Sequence, residues 1–269
     1  MIPILLALAA VQTVPAVNTG TSSHDCLELV RTAPERAIEA ASAWQAEGGG
    51  LEARQCLGLA HVALERWPAA AEVFEEAARA AAAAPDPRAA DLWVQAGNAW
   101  IAAGEANRAI QAIDAALATR GLSDALRGEA HLDRGRAFVS LGNTVGARED
   151  IDRALALVPA DPFAWYLSAA LASRERDLPR ARREIARAIE LAPDHPDIGL
   201  LAGTLAGLAG DMAEAERLYR RVAESSPQTD AGRAAAASLA TLREVEVDAP
   251  AAAPPPPATL PPPQPPQSR

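Results

Sequence analysis

The stretch Cys56–Ala78, with the sequence CLGLAHVALERWPAAAEVFEEAA, decides the fold of this chain. It places a small residue, Gly58, inside an apolar segment, which is followed by the turn Glu65–Pro68 and by a second segment in which Ala70 precedes Phe74. Proline is tolerated at the start of a helix, because the first N–H groups of a helix have no partner within it. The stretch therefore predicts two antiparallel helices joined by a tight turn.

The same pattern recurs along the chain. The alanine that opens each second helix marks the repeat, with steps of 39, 38, 34 and 34 residues between Ala70, Ala109, Ala147, Ala181 and Ala215. A small residue lies in the middle of each preceding helix, at Gly58, Gly97, Gly135, Ala169 and Gly203. A period of roughly 20–50 residues is typical of repeat architectures, in which one helix pair cannot bury its apolar face without its neighbours.

These repeats resemble the tetratricopeptide repeat (TPR) family. The resemblance covers about residues 25–227 and implies an all-α fold, a right-handed α-solenoid of about five helix pairs. A degenerate unit around Ala37 precedes the first full repeat, and an amphipathic segment after Pro227 is expected to cap the last one. Within a solenoid of residues 22–247, the expected repeats are 51–84, 90–122, 128–161, 162–195 and 196–229, with a cap helix at 230–245.

The composition of the chain argues against one class of partner and excludes two kinds of lysine chemistry. Its 269 residues include 35 acidic and 25 basic side chains, for a net charge of −10, which disfavours nucleic acid as a partner. Every basic side chain is arginine, and the absence of lysine excludes a P-loop lysine and Schiff-base catalysis.

No catalytic motif is present either, since HExxH, GxSxG, CxxC and phosphate-loop patterns are all missing. Cys56 and His61 are five residues apart and would point about 140° apart on a helix, whereas helical metal ligands are spaced by three or four residues. We expect no enzymatic activity, no metal site and no cofactor.

The two ends of the chain differ from its middle. Residues 1–21 contain the apolar run Ile4–Val11 and then Val14–Ala16, a pattern typical of a secretory signal peptide and too short to span a membrane, although no basic residue precedes Arg31. Residues 248–269 are rich in proline and are expected to form a disordered tail, which is an inert segment, a spacer or a ligand for a proline-binding partner. We expect a periplasmic or secreted protein without a stable membrane span.

The two cysteines fall at nearby levels of adjacent first helices in the repeat register. In an exported protein a Cys26–Cys56 disulfide would fasten the degenerate first unit to the solenoid. In a cytoplasmic protein both would be small buried apolar residues.

The resemblance also implies a binding surface, because in this family the first helix of each repeat lines a concave groove that binds peptides. The implied groove residues are Gln55, Leu59, Val94, Asn98, Ile101, Leu132, Arg136, Tyr166 and Arg174. Asn98 and Arg136 only partly match the family's lysine and asparagine clamp for a C-terminal carboxylate. The mixed lining suits an extended or helical peptide, and the alternative is a surface covered by a further helix or by the proline-rich tail.

The resemblance therefore implies a non-catalytic scaffold that binds a protein or peptide through its groove, in the bacterial cell envelope. A cytoplasmic adaptor or regulator that keeps its N-terminus is the alternative, and an accessory subunit of an enzyme complex is a more remote one.

Overall fold

The computed structural model describes residues 23–120 and 122–248, apart from the side chains of Ser23 and of residues 243–248. The expected signal peptide and the proline-rich tail beyond Asp248 lie outside these residues. The described residues form thirteen α-helices and no strand: α1 Ser23–Thr32, α2 Pro34–Ala46, α3 Gly50–Ala63, α4 Trp67–Ala83, α5 Ala89–Ala102, α6 Ala106–Ala118, α7 Asp124–Ser140, α8 Thr144–Leu157, α9 Pro162–Arg174, α10 Leu178–Leu191, α11 Pro196–Leu208, α12 Met212–Ser225 and α13 Asp230–Asp248.

The helices belong to two compact units, of which the first contains α1–α9 and ends at Glu175, and the second begins at Arg176 and contains α10–α13. Within the first unit each even-numbered helix packs on the odd-numbered helices before and after it. Within the second unit α11 packs on both α10 and α12, and α13 packs on α11 and α12. The predicted all-α architecture of stacked helix pairs is confirmed.

Glycine allows the two helices of a repeat to approach closely. A Cβ atom added to Gly58 would lie 2.4 Å from the Phe74 ring, and one added to Gly97 would lie 2.5 Å from Ile113. The same pairing joins Gly135 to Ile151 and Gly203 to Tyr219, so the large residue always follows the glycine by sixteen positions. The glycine thus leaves room for a large side chain from the second helix of its own repeat.

The turns inside the repeats share one backbone conformation. Glu65, Gly104, Gly142, Arg176 and Gly210 each adopt a positive φ, between 54° and 83°. In four of these turns the N–H of the next residue donates a hydrogen bond to a carbonyl five residues earlier: Arg66 to His61, Glu105 to Trp100, Asn143 to Phe138 and Asp211 to Ala206. This bond terminates the first helix of the repeat and begins the reversal of the chain.

A buried ionic cluster joins α7 to α8. The Asp150 carboxylate, 1% exposed, accepts hydrogen bonds from Arg134 Nε at 2.7 Å and Nη2 at 2.8 Å, and it lies 2.9 Å from His131 Nδ1. Arg134 also pairs with Asp114 of α6. Burial alone would raise the pKa of Asp150, but the hydrogen bonds from Arg134 and His131 outweigh it and lower the pKa from 3.8 to about 2.

Candidate functional site

The first unit presents one face made of α1, α3, α5, α7 and α9, which we call the odd-helix face. Three pairs of odd-numbered helices contact each other directly, α1 with α3, α5 with α7 and α7 with α9, and each even-numbered helix packs on the odd-numbered helices before and after it. The odd-numbered helices of successive repeats therefore share one face of this unit.

A first cleft opens on this face between α3 and α5. Its volume is about 270 Å³, and its apolar lining includes Leu59 and Val62 of α3 with Trp67 and Phe74 of α4. The polar part of the lining consists of amide side chains: Gln55, Gln95 and Asn98. The Oε1 atom of Gln95 is buried and has no hydrogen-bond partner. The cleft thus combines an apolar floor with amides that can hydrogen-bond a ligand.

A second cleft, of about 190 Å³, opens between α7 and α9. Val139, Ile151, Leu167 and Leu171 supply apolar surface, and the other lining residues are Arg136, Tyr166, Ala170 and Arg174. Arg136 and Arg174 are both exposed. The second cleft is therefore an apolar depression with two cationic side chains along it.

Between the two clefts lies a polar bridge, which consists of Asn98, Asp133 and Arg136. Arg136 Nη1 donates to Asp133 Oδ1 at 3.0 Å, and the Asn98 side chain is close enough to Asp133 to lower the pKa of its carboxyl group. Burial raises the pKa of Asp133 above its usual value, against the opposing effects of Arg136 and Asn98. The bridge therefore places polar side chains of α5 and α7 next to one another.

Most of the residues that the sequence assigned to a groove lie on the odd-helix face. Gln55, Leu59 and Asn98 line the first cleft, whereas Arg136, Tyr166 and Arg174 line the second. Ile101 is half-buried against the core around α4–α6 and lines neither cleft.

Two of the assignments are wrong. Val94 and Leu132 are only 5% and 4% exposed, because each points into a helix–helix core instead of the face. Val94 packs with Ile113 and Ala116, and Leu132 packs with Ile151. Both residues hold helices together and cannot contact a ligand.

Helix α1 extends the odd-helix face beyond the first cleft. Cys26 of α1 is bonded to Cys56 of α3, with a Cα–Cα distance of 5.9 Å and both residues 2% exposed. A small depression of about 120 Å³ beside the disulfide is also lined by Leu27, Gln55 and Leu59. Since Gln55 and Leu59 line the first cleft as well, the disulfide holds α1 against the end of the candidate groove.

Sequence reasoning missed three residues that shape this face: Trp67, Gln95 and Asp133. Trp67 belongs to a second helix, while the groove was sought only on first helices. Asp133 is three residues before Arg136, and Gln95 is three before Asn98, so a search one helical turn back from each polar groove residue would have found both.

Among residues 23–120 and 122–248, no helix is both long and apolar enough to cross a membrane.

Comparison with known proteins gives one family. The tetratricopeptide repeat family matches residues 57–124, 101–164 and 166–230, which together span more than half of the chain. No curated protein sequence matches the chain.

Similar solved structures also consist of helical repeats. PilW, described as a widely conserved type IV pilus biogenesis factor, has a TM-score of 0.66 and 17% identity over 81% of this chain and 98% of PilW. Pseudomonas aeruginosa PilF has a TM-score of 0.63 and 17% identity, and the match covers 80% of this chain and 95% of PilF. YrrB, described as a TPR protein with an unusual peptide-binding site, has a TM-score of 0.50 and 18% identity over 73% of this chain and 95% of YrrB. At these identities the likeness establishes the fold.

Proposed function

The chain belongs to the tetratricopeptide repeat family, and we propose that it is a non-catalytic scaffold that binds another protein through the odd-helix face of its first unit. Proteins of this family are generally non-catalytic scaffolds, and their fold favours protein or peptide partners. The proposal extends this general property to a particular surface of this chain.

The observation that supports the proposal most is the pair of clefts on one face. Volumes of about 270 and 190 Å³ fall below the roughly 300–1,000 Å³ typical of small-molecule sites. Each cleft is nevertheless apolar at its floor and polar at its edge, which suits a side chain of a bound protein.

We place the protein in the bacterial cell envelope, as a second part of the proposal. A buried disulfide is favoured by an oxidising compartment such as the periplasm. The pattern of residues 1–21 resembles a secretory signal, and the structural neighbour PilW is described as a pilus biogenesis factor. Mass measurement of the native protein checks this location: we expect loss of about 21 N-terminal residues and no free thiol, whereas an intact N-terminus with two free thiols would contradict it.

Site-specific photo-crosslinking in the native host tests the binding face. Benzoylphenylalanine replaces Arg174 at the second cleft in one variant and Val145, 71% exposed on the α7–α8 turn, in the control. We expect a discrete protein adduct from position 174 that is absent from position 145. Equal adducts at both positions, or none at position 174, would contradict binding through this face.

A further inference from the structure

The two clefts occupy equivalent positions in their repeats. Counted from the close-packing glycines Gly58 and Gly135, the first helix contributes Leu59 and Val62 to one cleft and Arg136 and Val139 to the other. The side chain sixteen positions after each glycine, Phe74 or Ile151, completes the floor. The next first helix contributes Gln95, Asn98 and Ala99 in one case and Leu167, Ala170 and Leu171 in the other.

The equivalent position between the clefts carries polar side chains. There the first helix is α5, which contributes Asn98, and the next is α7, which contributes Asp133 and Arg136. Arg136 donates a hydrogen bond to Asp133, and Asn98 lies beside that carboxylate, so the three side chains form the polar bridge. The odd-helix face therefore alternates between an apolar cleft, a polar bridge and a second apolar cleft.

The separation of the clefts sets the length of the ligand segment between its contacts. The clefts are two repeats apart, and packed helix axes are about 8–10 Å apart, so the clefts are separated by about 16–20 Å. An extended chain advances about 3.3 Å per residue, which corresponds to five or six residues. Only an even spacing directs both side chains to the same side of an extended chain, and this condition selects six.

The polar side chains of the bridge and of the second cleft indicate which polar groups the ligand carries. The Asn98 amide and the Asp133 carboxylate of the bridge match the C=O and N–H groups of an extended backbone. At the second cleft Arg174 is exposed and has no ion pair among the described residues, in a chain whose net charge is −10. A carboxylate on the ligand beside the second cleft complements this charge.

From this arrangement we propose that the odd-helix face binds one extended peptide segment with two large apolar side chains six residues apart. An acidic residue lies next to the apolar side chain that enters the second cleft. This inference rests on the proposed function and narrows its partner to a class of peptide.

Synthetic peptides test the spacing. Fluorescein-labelled peptides of about twelve residues carry two leucines separated by four to eight positions in a serine and glycine background, with glutamate beside one leucine, and their binding to the full chain is followed by fluorescence anisotropy. We expect the spacing of six to bind about tenfold or more tightly than a single-leucine peptide, because a second buried leucine contributes at least that factor. We expect the affinities of the peptides with spacings of five and seven to equal that of the single-leucine peptide.

Three matched valine variants locate the binding. Val62→Phe fills the first cleft and Val139→Phe fills the second, whereas Val145→Phe adds the same ring at the exposed α7–α8 turn. We expect each cleft variant to bind the six-spaced peptide no better than the single-leucine peptide, and Val145→Phe to bind it like the wild type. Thermal melting by circular dichroism verifies that each variant is folded.

A charge-reversal variant tests the contact between Arg174 and the acidic residue of the ligand. Arg174→Glu is expected to weaken the glutamate peptide several-fold and to favour a peptide with lysine in place of the glutamate. Equal affinity at all spacings, cleft variants that bind normally, or no binding by any peptide would overturn the inference. Photo-crosslinking from position 174 would still show whether a protein binds this face, so the failure of the inference is distinguishable from the failure of the proposed function.

Discussion

At the scale of single residues, the glycine of each first helix defines how closely its repeat can pack. Gly58 stands where a Cβ atom would meet the Phe74 ring at 2.4 Å, while a Cβ at Gly207 would find its nearest neighbour, Ala215, at 3.8 Å. Both glycines lie in helices, so substitution by alanine changes helix propensity in the same way at both positions. Only at Gly58 does the added methyl group collide with a neighbour.

We expect Gly58→Ala to lower the free energy of unfolding by about 1–3 kcal/mol, because the added methyl group displaces an aromatic ring in a close-packed core. Gly207→Ala, the matched control, is expected to raise it by about 0.4–1 kcal/mol, since alanine restricts the unfolded chain without a clash. Urea unfolding measures both. Equal effects of the two substitutions would show that Gly58 is not required for packing.

The carboxylate of Asp150 makes a pH-dependent contribution to stability. Its pKa is lowered from 3.8 to about 2, so its stabilising effect is fully present above about pH 4 and is lost as the pH falls from about 4 to about 2. Asp150→Asn is expected to lower the free energy of unfolding by about 3 kcal/mol near neutral pH, because Arg134 loses its buried carboxylate partner and keeps only the more exposed Asp114.

The difference between wild type and Asp150→Asn should shrink by on the order of 2 kcal/mol between about pH 6 and pH 2.5. Urea unfolding of the two proteins at both pH values measures this change, and the other carboxylates cancel in the comparison. A difference that is independent of pH would contradict the assigned role of Asp150.

At the scale of elements, the turns show where the repeats depart from their ideal sequence. Three of the five turns inside repeats place glycine at the positive-φ position, whereas Glu65 and Arg176 occupy it in the other two. A side chain in this conformation costs roughly 1 kcal/mol or more, and glycine avoids that cost.

We expect Glu65→Gly to raise the free energy of unfolding by about 0.5–1 kcal/mol. Gly104→Ala, at the equivalent position of the next repeat, should lower it by a similar amount, because its φ of 77° disfavours a side chain. Thermal unfolding of both variants gives the comparison. Destabilisation by Glu65→Gly would mean that the glutamate side chain has a contact that outweighs the strain.

Helix α1 depends on its disulfide. It has ten residues, fewer than the roughly 12–15 that an isolated helix needs in water, and the bond to Cys56 closes a loop of 30 residues. In the chain-entropy model such a loop contributes roughly 3–4 kcal/mol. Without the bond, the main contacts of α1 with the rest of the described residues are its packing on α2 and α3.

Reduction, or the double variant Cys26→Ser/Cys56→Ser, should therefore increase amide hydrogen exchange in Ser23–Thr32 by at least tenfold and leave α4–α6 unchanged. Hydrogen exchange with mass spectrometry resolves these segments, and the oxidised wild type is the control. Unchanged exchange in α1 would show that packing alone holds this helix in place.

At the scale of the whole molecule, the sequence predicts the features that recur in every repeat. It misses the features that occur at a single place in the structure. The glycines and alanines located the helix pairs because every repeat needs close packing at the same offsets. Val94 and Leu132 were misplaced because the family's groove positions were transferred without knowing how each helix is rotated in its stack. The Asp133 bridge and the Asp150 cluster arise from charges that meet across helices, and such pairings have no fixed spacing along the chain.

Methyl NMR shows whether the odd-helix face of the first unit is the binding face. The methyl groups of Leu59, Val62, Val139 and Leu167 report on the two clefts, and those of Leu141 and Val145 report on the exposed α7–α8 turn. On titration of the full chain with the six-spaced leucine peptide, we expect the resonances of the cleft methyl groups to shift and those of the turn methyl groups to stay unchanged. Shifts confined to the turn or to the even-numbered helices, or the absence of any shift, would contradict binding through this face.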